Sequence, residues 1–295
     1  MWKNKITMFD VLNYTFFALF TFACFFPFYY LFINTISSND LSSKGLILFY
    51  PKGFHLSNYT QVFNIPGLAT ATFISVARTV IGTVLTVAAS GFLGYLFSKP
   101  QMWGRKFWYR FLVVTMYFNA GLIPWFLVMR NLGMTNNFLA YVVPGIVAPF
   151  FIILVKTFIE STPIALQESA QIDGAGIFTI FSKIVMPLVV PVLATIAIFT
   201  AIGQWNSFQD TLFLVTKSKL FTLQFLLYRY LNAATSLANV MKSTGGALTN
   251  DMANVQTATS IRTTVSMIVV LPILLVYPFF QRFFVKGMMV GAVKG

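Results

Sequence analysis

Apolar residues run along this chain in six blocks, each about the twenty residues that a helix needs to cross a bilayer. They cover 12–34, 71–96, 108–129, 138–158, 184–203 and 264–284. The pattern predicts an all-α membrane protein with six transmembrane helices in one domain over 1–295. The first block does not read as a cleavable signal peptide. It is long and ends at FINTISSND with no small-residue cleavage site. Phe16, Phe17, Phe20, Phe22, Phe25, Phe26 and Phe28 give it a lipid-facing character. Two connections are too long for tight turns, 35–70 and 204–263. The second has room for a re-entrant or interfacial helix at 219–232. Asn58-Tyr59-Thr60 fits the glycosylation pattern, a three-residue match that reads as an ordinary loop.

Composition sharpens the class. Hydrophobic residues make up 57% and charged residues 9%, where a soluble chain carries roughly 25% charged residues to cover its surface. The net charge of +13 does not point to nucleic acid, because the basic residues sit at the ends of apolar runs and form no stripe with interleaved aromatics. One cysteine, Cys24, and one histidine, His55, exclude an intrachain disulfide and argue against a His/Cys metal site. Lys3, Lys5, Lys99, Arg105, Lys106, Arg110, Lys156, Lys183, Arg282, Lys286 and Lys294 all fall on one side if the N-terminus is cytoplasmic. Both termini are therefore expected in the cytoplasm.

The polar island ESAQIDGAGIFTIFSKIVMP at 168–187 would lie there too. Thr162 and Pro163 predict a helix start, with Thr as N-cap, and a helix to about 172. Gly174 allows a left-handed stop. A second short helix would run to 185, before Pro187 opens the fifth block. Two short helices at an angle make a knob. Glu168 and Asp173 would offer charge-assisted hydrogen bonds, and Ala170 and Gly174 would let a partner's backbone approach. The plain alternative is a solvated loop whose acids cap helices. Residue types alone leave both open.

Glu168-Ser169-Ala170, three residues, Gly174, nine residues, then Ile184-Val185-Met186-Pro187 resembles the E-A-A…G…I-x-L-P signature of ABC importer permeases. Ser169 and Met186 depart from it by small changes. NAGLIPWFLVMRNLGMTNNFLAYVVPG, GQWNSFQDTLFLV and FQRFFVKGMMVGAVKG extend the likeness, most closely to the carbohydrate-uptake branch. The resemblance implies a type I importer (MetI-like) fold whose 163–185 region forms coupling helices that dock on an ATPase. Glu168, Ser169, Ala170, Asp173, Gly174 and Pro187 would be the coupling residues. It also implies a bacterial inner-membrane location, a homologous permease partner, two cytoplasmic ATPases, an extracellular solute-binding protein and an oligosaccharide cargo. ATP and magnesium would belong to the ATPases; the chain has no G-x-x-x-x-G-K-[ST] loop and needs no cofactor of its own.

Several residues are candidates for the substrate path. Trp205, Asn206 and Asp210 combine a stacking face with polar groups, although Trp205 also suits an interfacial aromatic belt. Tyr117, Asn119 and Trp125 flank the Gly121–Pro124 break and fit either a cavity lining or helix–helix hydrogen bonding. Arg78 is an intramembrane charge, either functional or snorkelling outward. A permease for another solute class remains an alternative. A secondary transporter is poorly supported, because no carboxylate lies well inside a block. A purely structural subunit would leave the island unexplained.

The orientation is testable on a Cys24→Ala background. A cysteine at Ser43 should label with an impermeant reagent added outside intact cells, and one at Gln101 should not. External labelling at Gln101 would invert the assignment.

Overall fold

A computed structural model describes residues 7–232 and 257–287. Lys3, Lys5, Lys294 and the polar tract over 233–256 lie outside the described residues. Every regular element among the described residues is helical. Among the described residues, three helices are long and apolar enough to cross a membrane: α1 (Met8–Thr35), α4 (Leu68–Ser98) and α9 (Ile177–Asn206). Two bent pairs also qualify as broken spans. One is α5 (Arg105–Tyr117) with α6 (Leu122–Asn131), the other the 3₁₀ turns over Phe138–Gly145 with α7 (Pro149–Glu160). Short helices α2 (Asn39–Ser43), α3 (Ser57–Phe63), α8 (Ala165–Ile172) and α10 (Gln209–Leu214) lie between them. A helix over 223–232, α11, replaces the predicted one at 219–232, and α12 (Ala258–Gly287) ends the described chain.

The third predicted block, 108–129, is not one helix. Its two halves meet at 118°. Phe118 is extended, Gly121 takes φ 91°, and the Asn119 side-chain oxygen accepts from the Gly121 N–H at 2.8 Å. These local bonds substitute for the helical ladder and turn the chain. The fourth block bends by 41°, where Ala148 is extended and Pro149 starts α7. The fifth begins at 177 rather than 184. A π turn over Ile180–Val185 runs straight into the helix that holds Pro187. The widened turn suits a proline, which lacks the N–H of a regular turn and crowds the preceding carbonyls. The second short helix expected up to 185 is thus the first turns of α9.

The described residues divide into two compact units, one within 1–68 with 227–271 and one within 69–226 with 272–295. In the first, the long 35–70 connection is folded on polar side chains. Asn34, Thr35, Ser37, Asn39, Ser42 and Asn58 are buried. Ser42 donates to Asn34 at 2.7 Å, and Asn58 donates to the Thr35 carbonyl at 3.0 Å and to Asn39 at 2.9 Å. Most buried polar groups are paired in this way. Asn58 sits in helix α3, buried and with its amide nitrogen already engaged, and is no accessible glycosylation loop. The phenylalanines of α1 from Phe16 to Phe25 are exposed, as a lipid-facing helix requires.

In the second unit, Tyr95, Val155, Ile159, Ile180, Val185, Val189, Val192 and Ile196 form one buried cluster from α4, α7 and α9. A Cβ added at Gly94 would lie 2.7 Å from the Val155 side chain and 3.2 Å from the Ile152 carbonyl, so α4 and α7 meet at backbone range. Gly94→Val should cost roughly 1–3 kcal/mol through overpacking. Gly91→Ala, whose Cβ would find ordinary contacts at 3.5 Å, should cost little. Melting temperatures of the two purified variants check the contrast.

Candidate functional site

The knob expected over 163–185 is built from backbone geometry. Helix α8 does not start on a Thr162 cap: the Thr162 hydroxyl donates back to the Ile159 carbonyl at 2.6 Å and helps close α7. At its other end Gly174 adopts φ 81°, with Gly174 N–H donating to Gln171 at 3.0 Å and Ala175 N–H to Ala170 at 2.9 Å. Paired bonds around a left-handed glycine stop the helix and set the turn into α9. Glu168, Ser169, Asp173 and Gly174 are exposed, while Ala170 is half-buried against the cluster beneath. Ile172, Ile177 and Phe178 are also exposed, at 87%, 71% and 73%. The tip therefore exposes charged and large apolar side chains side by side on the turn. Below it, Arg105 pairs with Glu160 at 2.6 Å, and Lys156 with the same carboxylate at 2.7 Å. Arg105 also donates to the Phe97 carbonyl at 2.7 Å, which ties the start of α5 to the ends of α4 and α7.

A second constellation surrounds Arg78. The residue does not snorkel: it is 2% exposed. All five of its N–H groups are used. Nε and Nη2 donate to Gln204 at 3.1 and 3.0 Å, Nη1 to the Ser207 carbonyl at 3.3 Å, and Nη1 and Nη2 to the two Asp210 oxygens at 3.1 and 2.6 Å. The guanidinium also lies 4.6 Å from the Tyr141 ring centroid. Asp210 is held from the other side by the Ser207 hydroxyl and the Thr211 N–H. The bidentate pair balances a charge that could not otherwise remain out of water.

This cluster forms part of the wall of a cavity of about 410 Å³. Trp125, Tyr141, Phe199, Thr200 and Gln204 line it with Arg78 and Asp210. The Thr200 hydroxyl is buried without a hydrogen-bond partner among the described residues. Aromatic faces beside amide, hydroxyl and charged groups are what a polyhydroxylated ligand needs. Of the predicted path residues, then, Arg78, Trp125 and Asp210 come together. The others do not join them. Trp205 is buried and lines a separate apolar pocket with Val76, Val80, Ile198 and Ile202. Asn206 donates within its own helix to the Ile202 carbonyl. Asn119 is occupied by its turn, and Tyr117 is 79% exposed. Sequence reasoning missed Gln204 and Tyr141. Gln204, in the same polar run as Trp205, was the nearer to being found.

The family described as binding-protein-dependent transport system inner membrane component matches residues 87–290. The chain is 33% identical over 99% of its length, and all of the relative's, to the polygalacturonan/rhamnogalacturonan transport system permease protein YtcP of Bacillus subtilis (strain 168). It is 28% identical over 95% of its length, and 94% of the relative's, to the arabinooligosaccharides transport system permease protein AraQ of Halalkalibacterium halodurans. Among solved structures, a chain of a bacterial ABC transporter involved in the import of the acidic polysaccharide alginate superposes with a TM-score of 0.81. That chain is 27% identical, and the match covers 96% of this chain and 99% of the other.

Removing one member of the buried pair should be costly. Arg78→Met leaves Asp210 and Gln204 without their donor and should destabilise by about 3–5 kcal/mol. The double variant Arg78→Met/Asp210→Leu should recover part of that loss. Thermal unfolding of the two purified variants gives the comparison; a double variant no more stable than the single would contradict it.

Proposed function

The chain belongs to the family of binding-protein-dependent transport system inner membrane components, and on that premise we propose that it carries oligosaccharides or polysaccharide fragments into the cell, driven by ATPase subunits docked on its 163–185 knob. Membership makes it a multi-pass membrane subunit of an ABC importer, a transport component and not an enzyme. Such a permease works with ATPases and a solute-binding protein. The finer assignment is our reading. The chain crosses six times with both termini in the cytoplasm and pairs with a homologous permease. Its cargo is a glycan, in keeping with the names of its relatives.

One observation carries the coupling assignment. The signature residues Glu168, Asp173 and Gly174 are exposed on a turn braced by the apolar cluster of α4, α7 and α9. A braced tip transmits force; a loose one absorbs it. Closure of the two ATPases displaces the knob as a rigid body. The helices rooted in it, α7 and α9, tilt and switch the path between outward and inward access. ATP shifts this equilibrium only by its differential contacts with the two states. The cavity beside Arg78 and Asp210 is this chain's share of the path. Trp125 offers a stacking face there, and Thr200 a hydroxyl.

Glu168→Lys reverses the charge at the docking tip. Gly174→Val forces a β-branched residue into φ 81°, where nothing lies within 4 Å of the added Cβ, so its effect is on the backbone alone. Both variants should insert normally yet lose co-purifying ATPase and uptake of labelled oligosaccharide. Normal uptake at normal expression in either variant would sink the assignment.

A further inference from the structure

The knob is joined in sequence to α7 and α9 only, yet the structure gives it a third attachment. Gln167 is the one buried residue of α8 among the described residues. A glutamine in that place, on a helix otherwise exposed or half-buried, calls for a partner. The partner is Lys99, one residue beyond the end of α4, whose ammonium donates to the Gln167 side-chain oxygen. The same ammonium lies 4.6 Å from the Tyr95 ring centroid. Tyr95 in turn donates through its hydroxyl to the Ile177 carbonyl at 3.4 Å, at the start of α9. Its ring packs 5.1 Å from that of Phe181, and Phe92 meets Phe181 edge-on at 5.8 Å. The last turns of α4 therefore touch both helices of the knob. Burial pushes the Lys99 pKa below its ordinary value, which marks the site as partly withdrawn from water.

From Ser98, next to Lys99, back to Arg78 the chain is helix without interruption, a rod of about 30 Å. Its far end is bonded to Gln204 and Asp210 at the cavity. We propose that Lys99 and Gln167 clamp the knob to α4, so that α4 carries ATPase-driven motion directly to the cavity wall. These two are positioning residues. The inference rests on the docking role proposed above. It adds a path that neither the signature residues nor the chain connectivity contains.

The test uses the full complex with its binding protein, reconstituted in liposomes, with Lys99→Met, Lys99→Arg, Gln167→Leu and the Lys99→Met/Gln167→Leu double variant. Three quantities are measured: yield of assembled complex, ATP hydrolysis and uptake of labelled oligosaccharide. The two single apolar variants should assemble with ordinary yield and still hydrolyse ATP. They should nevertheless consume about fivefold or more ATP per glycan imported, the size of a typical coupling loss. The double variant should be no worse than either single one, because both remove the same contact. Lys99→Arg keeps the charge and should restore most of the coupling. An unchanged ratio in both single variants overturns the clamp. So do additive losses in the double variant, and so does loss of the ATPases from the complex, which would make the pair part of the docking face. Failure of the docking reading itself looks different: Glu168→Lys would then retain both ATPase and uptake while these variants are scored.

Discussion

A guanidinium placed among apolar helices has no water to fall back on, so every N–H must be met by protein and its charge balanced. Arg78 meets that demand with Gln204, the Ser207 carbonyl and both oxygens of Asp210. Much of the second unit follows from it. The C-terminal end of α9 and the turn into α10 are held at one height on α4. Tyr141 is drawn over the cation, which the broken helix around Pro144 allows and a continuous one would hinder. The cavity is the space these commitments leave between them.

The opposite end of the same helix obeys a different constraint. Near the knob the holding forces are apolar packing and close backbone approach, as at Gly94 against Val155. Ion pairs from Glu160 to Arg105 and Lys156 are partly exposed there. Screened pairs of that kind contribute little stability, on the order of 0–1 kcal/mol each. The Arg105 pair fixes direction: with the bond from Arg105 to the Phe97 carbonyl it orients the ends of α4, α5 and α7 around the knob. The packed cluster from α4, α7 and α9 lies directly beneath the exposed tip and fixes its place.

Much of this was legible in the residues. Long apolar blocks announce membrane helices because lipid tolerates little else, and the Glu168–Pro187 spacing is specific enough to mark the knob. The failures were of three physical kinds. Long-range pairing is invisible in a single sequence: Asp210 stands 132 positions after Arg78, and with no partner in view an intramembrane arginine reads equally as a functional charge or a snorkelling one. Local breaks were visible but their consequence was not. Gly121 and Pro124 advertised an interruption in the third block, whereas the 118° reversal depends on the Asn119 side chain turning to cap Gly121. Thr162 erred in the same way, its hydroxyl bonding backward into α7 rather than forward into α8. Trp205 failed for a third reason. Its indole belongs to a helix face, and which face looks into a cavity is decided by neighbours that a single sequence does not display.

The π turn at Ile180–Val185 sets the phase of everything after it. A regular helix advances about 100° per residue, and a π turn spends one extra residue without the corresponding advance. Residues 186–206 therefore present faces rotated relative to the knob by an amount stored in those six positions. Loss of a single residue there would let the stretch close into an ordinary α turn and leave Thr200 and Gln204 on the face they now occupy. Loss of one residue from the regular turns between 186 and 199 would instead remove about 100° of advance and swing both side chains away from the cavity. The π turn is thus the place where α9 absorbs a change of length, and the regular turns beyond it are where length is strict.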